Sequence, residues 1–326
     1  MEKMRFALFI FILLFPSLLA TSLLSAAEID KDIPNYEKAS GVSGSINSIG
    51  SDTMNNLMTL WCEGFSRYYP NVKCQIEGKG SSTAPAALIN ATAQIGPMSR
   101  QMKTSEIDEF EKKFGYKPYE IKTSLDSIGV YVNKDNPIKG LTLEEIDAIF
   151  SKNLLCGMKK SIDKWGDLSL EGKWADRPIS LYGRNSASGT YAFFKEHSLC
   201  KGDYKDTVKE HPGSASVVQG ITEDLYGIGY SGIGYKTSGV RVLPLAQKGS
   251  KTYVEPTIEN LLNGSYPLGR FLYIYINKAP NKPLEPLVKE FVKFIMSKEG
   301  QEVVIKDGYF AIPAKIALDQ LNKLEQ

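Results

Sequence analysis

Ile179-Ser180-Leu181-Tyr182-Gly183-Arg184-Asn185-Ser186-Ala187-Ser188-Gly189-Thr190-Tyr191-Ala192-Phe193-Phe194-Lys195-Glu196 holds a strand, a turn and a helix start in one run. Residues 179–182 read as a β-strand and 191–196 as a helix, with a Gly, Asn and Ser cluster between them that breaks either period. A helix start leaves backbone N–H groups unpaired and carries about half a positive charge, so it suits an anion. Arg184 stands at the strand end, four residues before Ser188-Gly189-Thr190. A guanidinium there can grip two oxygens of an oxyanion held by the turn. Each part also has a plainer use: Ser and Thr at helix starts usually cap the helix, and most arginines end in surface ion pairs.

The same strand–turn–helix unit recurs toward the N-terminus. A strand at 45–49 is followed by Gly50-Ser51-Asp52-Thr53 and by Leu57, Leu60, Trp61 and Phe65 at helical spacing. A strand at 72–76 precedes Gly80-Ser81-Ser82-Thr83 and a helix at 84–89, and a short strand at 94–96 runs into Met98-Ser99-Arg100. Farther along, strands are expected at 125–132, 228–233 and 271–276. Helices are expected up to residue 110 and at 142–150, 214–225 and 284–296. Strands alternating with helices make an α/β fold with mostly parallel sheets. Three Gly/Ser/Thr turns that could converge with an arginine point to one oxyanion pocket, because hydroxyls donate to oxygens and glycine admits close backbone approach.

The 326 residues exceed what one growing core supports, so two domains are expected. With 39 Lys+Arg against 37 Asp+Glu the chain lacks the basic excess of a nucleic-acid binder, and 42% hydrophobic residues rule out intrinsic disorder. Residues 1–27 read as a secretory signal peptide. Lys3 and Arg5 precede an apolar run, and Ser25-Ala26-Ala27 offers a cleavage site; an uncleaved membrane anchor is the alternative. Export to an oxidising compartment fits four cysteines, which can pair in three ways. Cys62–Cys74 with Cys156–Cys200 keeps each bridge inside one lobe, and the spacings lack a zinc-knuckle pattern.

The three turns, the Ile95-Gly96-Pro97-Met98-Ser99-Arg100 loop, the Arg184–Thr190 element, Ser214–Gly220 and Ile228-Gly229-Tyr230 together resemble the phosphate-binding proteins of Pst-type ABC transporters. The likeness runs from about Gly44 to Pro313. It implies the two-lobed solute-binding fold of type II, each lobe a mostly parallel sheet flanked by helices, closing on one phosphate. Lobe I would comprise residues 44–135 and 250–326 and lobe II residues 136–249, after an exposed segment at 28–43. The resemblance implies a site made of Ser51, Thr53, Ser81, Ser82, Ser99, Arg100, Arg184, Ser188, Gly189 and Thr190. It also implies an exported monomer in the periplasm that delivers phosphate to a membrane permease, without a cofactor or nucleic acid.

Some members of that family carry an aspartate where Ser99 stands, as acceptor for the proton of hydrogen phosphate. A carboxylate there rejects sulfate by unpaired repulsion, which Ser99 cannot do. Asp52 or Asp126 could take its place, and each could equally be a cap or a structural acid. A receptor for sulfate, or a phosphate-sensing protein without a transport role, is therefore the alternative. An enzyme is not expected: the two histidines, His197 and His211, have no metal-ligand spacing. The chain also lacks a Gly-x-Ser-x-Gly elbow and a P-loop ending.

Overall fold

A computed structural model describes residues 29–325. The expected leader at 1–27 lies outside the described residues. Among the described residues no helix is long and apolar enough to cross a membrane.

The N-terminal third winds as expected. Strand β1 (Gly44–Ile49) leads to α1 (Asn55–Tyr68), β2 (Val72–Glu77) to α2 (Ala84–Ile89), and β3 (Ile95–Met98) to α3 (Thr104–Phe114). β1 pairs in parallel with β2 and β3. Leu57, Met58, Trp61 and Phe65 form the buried stripe of α1, and the Trp61 indole donates to Gly300 O at 2.8 Å. The helix spacing read from the sequence is this buried face at Leu57, Trp61 and Phe65, while Leu60 is only half-buried and Met58 takes its place.

Next comes β4 (Tyr119–Asn133), far longer than the expected strand. Beyond it lie β5 (Leu141–Thr142), α4 (Leu143–Phe150), β6 (Ser180–Arg184), α5 (Gly189–Ser198), β7 (Lys209–His211), α6 (Ser214–Glu223), β8 (Gly227–Gly232), β9 (Val240–Val242) and β10 (Leu245–Ala246). Thr142 caps α4, its hydroxyl accepting from Glu145 N while the Glu145 carboxylate accepts from Thr142 N. The chain ends through α7 (Ile258–Leu262), β11 (Gly269–Ile276), α8 (Pro286–Met296), α9 (Lys298–Lys306) and α10 (Ala314–Glu325).

The main sheet has the order β2-β1-β3-β11-β4-β8-β6-β7, with β9 also on β4. β6 runs parallel to β7 and β8, so each half is wound in parallel. The antiparallel strands are those that cross between halves. β11 pairs with β4 from Tyr119 to Ser127, and β8 pairs with it from Ile128 to Val132. Two cores follow. One gathers Ile46, Leu57, Trp61, Phe65, Ile121, Phe291 and Ile295; the other gathers Ile128, Val130, Phe150, Trp165, Phe194 and Tyr230.

Two expectations need correction. Residues 28–43 were expected to be exposed, yet Ile33, Tyr36 and Val42 are buried in the first core. The Tyr36 hydroxyl donates to Glu290 at 2.8 Å, so an irregular segment is held by a few anchors. Residues 128–135 and 250–268 were expected with the first lobe. Ile128, Val130, Val132, Tyr266 and Leu268 instead pack in the second core. β4 passes from one core to the other as one strand, with Gly129 just past the point where its partner changes from β11 to β8.

Cys62 is joined to Cys74, tying α1 to β2, and Cys156 to Cys200, tying the segment after α4 to the end of α5. Their sequence separations of 12 and 44 residues correspond to about 3 and 4 kcal/mol in the chain-entropy model. Reduction should lower the melting temperature by roughly 10 °C or more on that scale. A melting curve unchanged by reductant would show that these bridges do not stabilise the fold.

Candidate functional site

The turns after β1, β2, β3 and β6 meet between the two cores. The Asp52–Thr53 turn is held from behind by two phenols. Tyr235 donates to Asp52 O at 2.9 Å and Tyr309 to Thr53 O at 2.7 Å. Ser51 N donates to Pro97 O at 2.8 Å and Gly80 N to Gly50 O at 2.8 Å, which stacks the first three turns side by side. The fourth turn closes against them from the second half. Thr53 Oγ1 lies 2.9 Å from Thr190 Oγ1, and both the backbone N and the hydroxyl of Ser82 donate to Ala187 O.

Glycine is required where the halves touch. A Cβ on Gly189 would lie 2.3 Å from Ser81 Oγ and 2.6 Å from Ser99 Oγ. A Cβ on Gly80, whose φ is +114°, would lie 2.5 Å from Ala187 O.

Three hydroxyls accept from N–H groups. Ser81 Oγ accepts from Ser99 N at 3.0 Å, and Ser188 Oγ accepts from Thr190 N at 3.1 Å and Tyr191 N at 3.3 Å. Thr190 Oγ1 accepts from Arg270 Nη2 at 2.9 Å. An N–H can only donate, so each hydroxyl keeps one hydrogen to give, with Ser99 Oγ 3.3 Å from Ser81 Oγ and Thr53 Oγ1 2.9 Å from Thr190 Oγ1 as neighbours that could donate or accept. Ser81, Ser188 and Thr190 are buried, and such a cage suits a ligand made of acceptors.

Arg184 is 1% exposed. Its Nη1 donates to Ser214 Oγ at 2.5 Å, its Nη2 donates to Pro212 O at 2.8 Å, and Nη2 is 3.1 Å from Asp52 Oδ2. Its Nε–H is buried without a partner among the described residues. Burial pulls the guanidinium pKa down and Asp52 opposes the shift, while the group stays charged. Asp52 reaches across the halves: its Oδ2 accepts from Ser214 N at 2.8 Å and Ser214 Oγ at 2.9 Å, at the start of α6. A carboxylate at that helix start is favourably placed against its dipole.

A second buried arginine, Arg270 on β11, was not singled out from the sequence. Its Nε and Nη2 donate to Asp126 Oδ2 at 2.8 and 2.7 Å, and its Nη1 donates to Ser99 O at 2.8 Å. The available signal was a charge inside the apolar run of 269–276, with Asp126 standing likewise inside 125–132.

The structure therefore brings together Thr53, Ser81, Ser99, Arg184, Ser188, Gly189 and Thr190. Ser51 is buried beside them through its backbone contact with Pro97. Ser82 serves as a clasp to Ala187. Arg100 turns away: its guanidinium grips the Glu106 carboxylate at 2.6 and 2.7 Å and Gln101 O at 2.9 Å, fastening the start of α3.

A family described as PBP superfamily domain matches residues 36–299. The phosphate-binding protein PstS of Pseudomonas aeruginosa is 56% identical over 300 residues, covering 92% of this chain and 93% of that one. PstS of Staphylococcus epidermidis is 30% identical over 289 residues, covering 87% and 84%. The structure of a putative phosphate ABC transporter substrate-binding protein with bound phosphate from Clostridium perfringens superposes with a TM-score of 0.68 at 26% identity. It covers 82% of this chain and all of that one. The family match spans all four turns, and the chain belongs to the PBP superfamily and, within it, to the PstS family.

Proposed function

We propose that the chain is an exported receptor that encloses one inorganic phosphate between its two lobes and presents it to the permease of an ABC transporter. The observation that carries this reading is the buried Arg184 Nε–H without a partner among the described residues, in a site where the Ser81, Ser188 and Thr190 hydroxyls accept from N–H groups and keep a hydrogen to give. An unpaired buried donor on a charged group is costly, and an anionic acceptor removes the cost. Ser81, Ser188, Gly189 and Thr190 would complete the contacts, Thr53 would support Thr190 from across the cleft, Ser51, Ser82 and Ser99 would hold the turns, and Arg100 would stay outside. The lobes would divide at Ser127 and at Leu268, where the strands pass between cores.

The reading is one of binding without turnover. His197 stacks on Phe193 at 3.9 Å and His211 on Tyr182 at 5.9 Å, so each ring is engaged away from the serine hydroxyls. A cleaved leader and a monomer in the periplasm fit a receptor that closes around its own ligand.

Hydroxyls with a hydrogen to give would serve sulfate equally well, which keeps a sulfate receptor as the second reading. Asp52 favours phosphate. Its Oδ2 holds Ser214 and Arg184, while its Oδ1 has no hydrogen bond among the described residues and can accept the proton of hydrogen phosphate. Asp126 has both oxygens occupied, by Arg270 and by Ile233 N. Titration calorimetry on protein unfolded and refolded to strip carried-over ligand tests the assignment. Phosphate should bind at micromolar concentration or tighter, and sulfate at least about a hundredfold more weakly, the cost of facing a carboxylate without a shared proton. Equal binding of the two anions would remove Asp52 from this role and reopen the choice of ligand.

A further inference from the structure

We infer that Arg270 is a positioning residue that fixes the Thr190 hydroxyl as a donor to the bound anion. The inference rests on the phosphate-receptor reading above and assigns a role in it to a residue outside the expected ligand set. Arg270 meets groups from three directions. Asp126 on β4 accepts from its Nε and Nη2, Ser99 O at the end of β3 accepts from Nη1, and Thr190 Oγ1 on α5 accepts from Nη2. The Phe193 ring of α5 covers the guanidinium, 5.5 Å from its centroid. Arg270 is 6% exposed, so water does not compete for these bonds.

The consequence lies in the hydroxyl. A guanidinium has donors only, so Thr190 Oγ1 must accept from it and its single hydrogen must go elsewhere. Thr53 Oγ1, 2.9 Å away, can use the second lone pair of Thr190 as its own acceptor. The Thr190 hydrogen then goes to the anion. Without Arg270 the hydroxyl is free to give its hydrogen to Thr53 Oγ1 instead, and its contribution to binding disappears although its position does not change. Arg270 also joins the halves, since Ser99 belongs to the first and Thr190 to the second.

A double-mutant cycle tests this through coupling, which a merely structural role would not produce. The background is Asp126→Leu with Arg270→Met, which removes the ion pair as a unit and leaves no buried charge unpaired. Thr190→Val is then made in that background and in the unaltered chain, and phosphate binding is measured by calorimetry with melting curves alongside. In the unaltered chain Thr190→Val should weaken binding about tenfold, the loss of one hydrogen bond to a charged group. In the pair-less background the same change should cost less than about twofold. Equal losses in both would overturn the inference. Should the pair-less chain fail to fold, single variants carry the same test. Arg270→Lys, still donor-only, should keep the sensitivity to Thr190→Val, and Arg270→Gln, whose carbonyl can accept, should lose it. The reverse order would overturn the inference, as would equal sensitivity in both. An unaltered chain that binds no phosphate would instead remove the receptor reading, and this inference with it.

Discussion

Arg184→Ala should weaken phosphate binding by about a hundredfold or more, because two losses coincide there. The first is the charge-assisted bond from Nε–H to the anion, worth roughly 1.5–3 kcal/mol. The second is the grip on Asp52 Oδ2, Ser214 Oγ and Pro212 O, which ties the turn after β1 to the start of α6. Removing a buried cation while its carboxylate partner stays behind costs about 2–5 kcal/mol in comparable pairs. Part of that cost falls on the closed state alone, where Asp52 and Arg184 face each other across the lobes. It therefore appears as lost affinity. Arg184→Lys should be nearly as weak, because one ammonium cannot meet Asp52, Ser214 and Pro212 and still leave a planar N–H for the ligand. Calorimetry at fixed ionic strength checks the pair, with the melting temperature of the ligand-free protein as control. Affinity within about threefold of the unaltered chain would remove Arg184 from the site.

That arginine was legible in the sequence because everything that defines it is local. The strand, the turn and the capped helix lie within a short run, and the N-cap role of Ser188 is part of the same run. The turns carrying Thr53 and Ser81 were legible for the same reason. Arg270 was not, nor was its pairing with Asp126, which the sequence offered only as a candidate proton acceptor, since the two meet across two strands 144 positions apart. Only the antiparallel register of β4 and β11, with Arg270 opposite Asp126, makes them a pair. Arg100 turns away from the turns that its neighbour Ser99 meets. Successive side chains diverge, and Glu106 six residues on captures the guanidinium. The passage from one core to the other was not legible, because β4 changes cores as one strand without changing composition.

Gly189→Ala separates closure from binding chemistry, and it should cost about a hundredfold in phosphate affinity by obstructing closure. Gly189 opens α5, a backbone conformation that alanine adopts readily, so helix and lobe should fold as before. The added methyl would lie 2.3 Å from Ser81 Oγ, 2.6 Å from Ser99 Oγ and 2.9 Å from the Ser81 Cβ, all on the opposite half. The Ser81 hydroxyl cannot simply rotate aside, because it is held by Ser99 N. Relief therefore has to come from the gap between lobes. Overpacking of this kind costs about 1–3 kcal/mol, and an open cleft also forfeits the Thr53–Thr190 and Ser82–Ala187 contacts. The melting temperature without ligand should change little, while addition of phosphate should no longer raise it and small-angle scattering should show no contraction. Retained affinity with normal contraction would mean that the two halves have more room than this contact allows. Closure would then be limited elsewhere, at the Gly80–Ala187 approach.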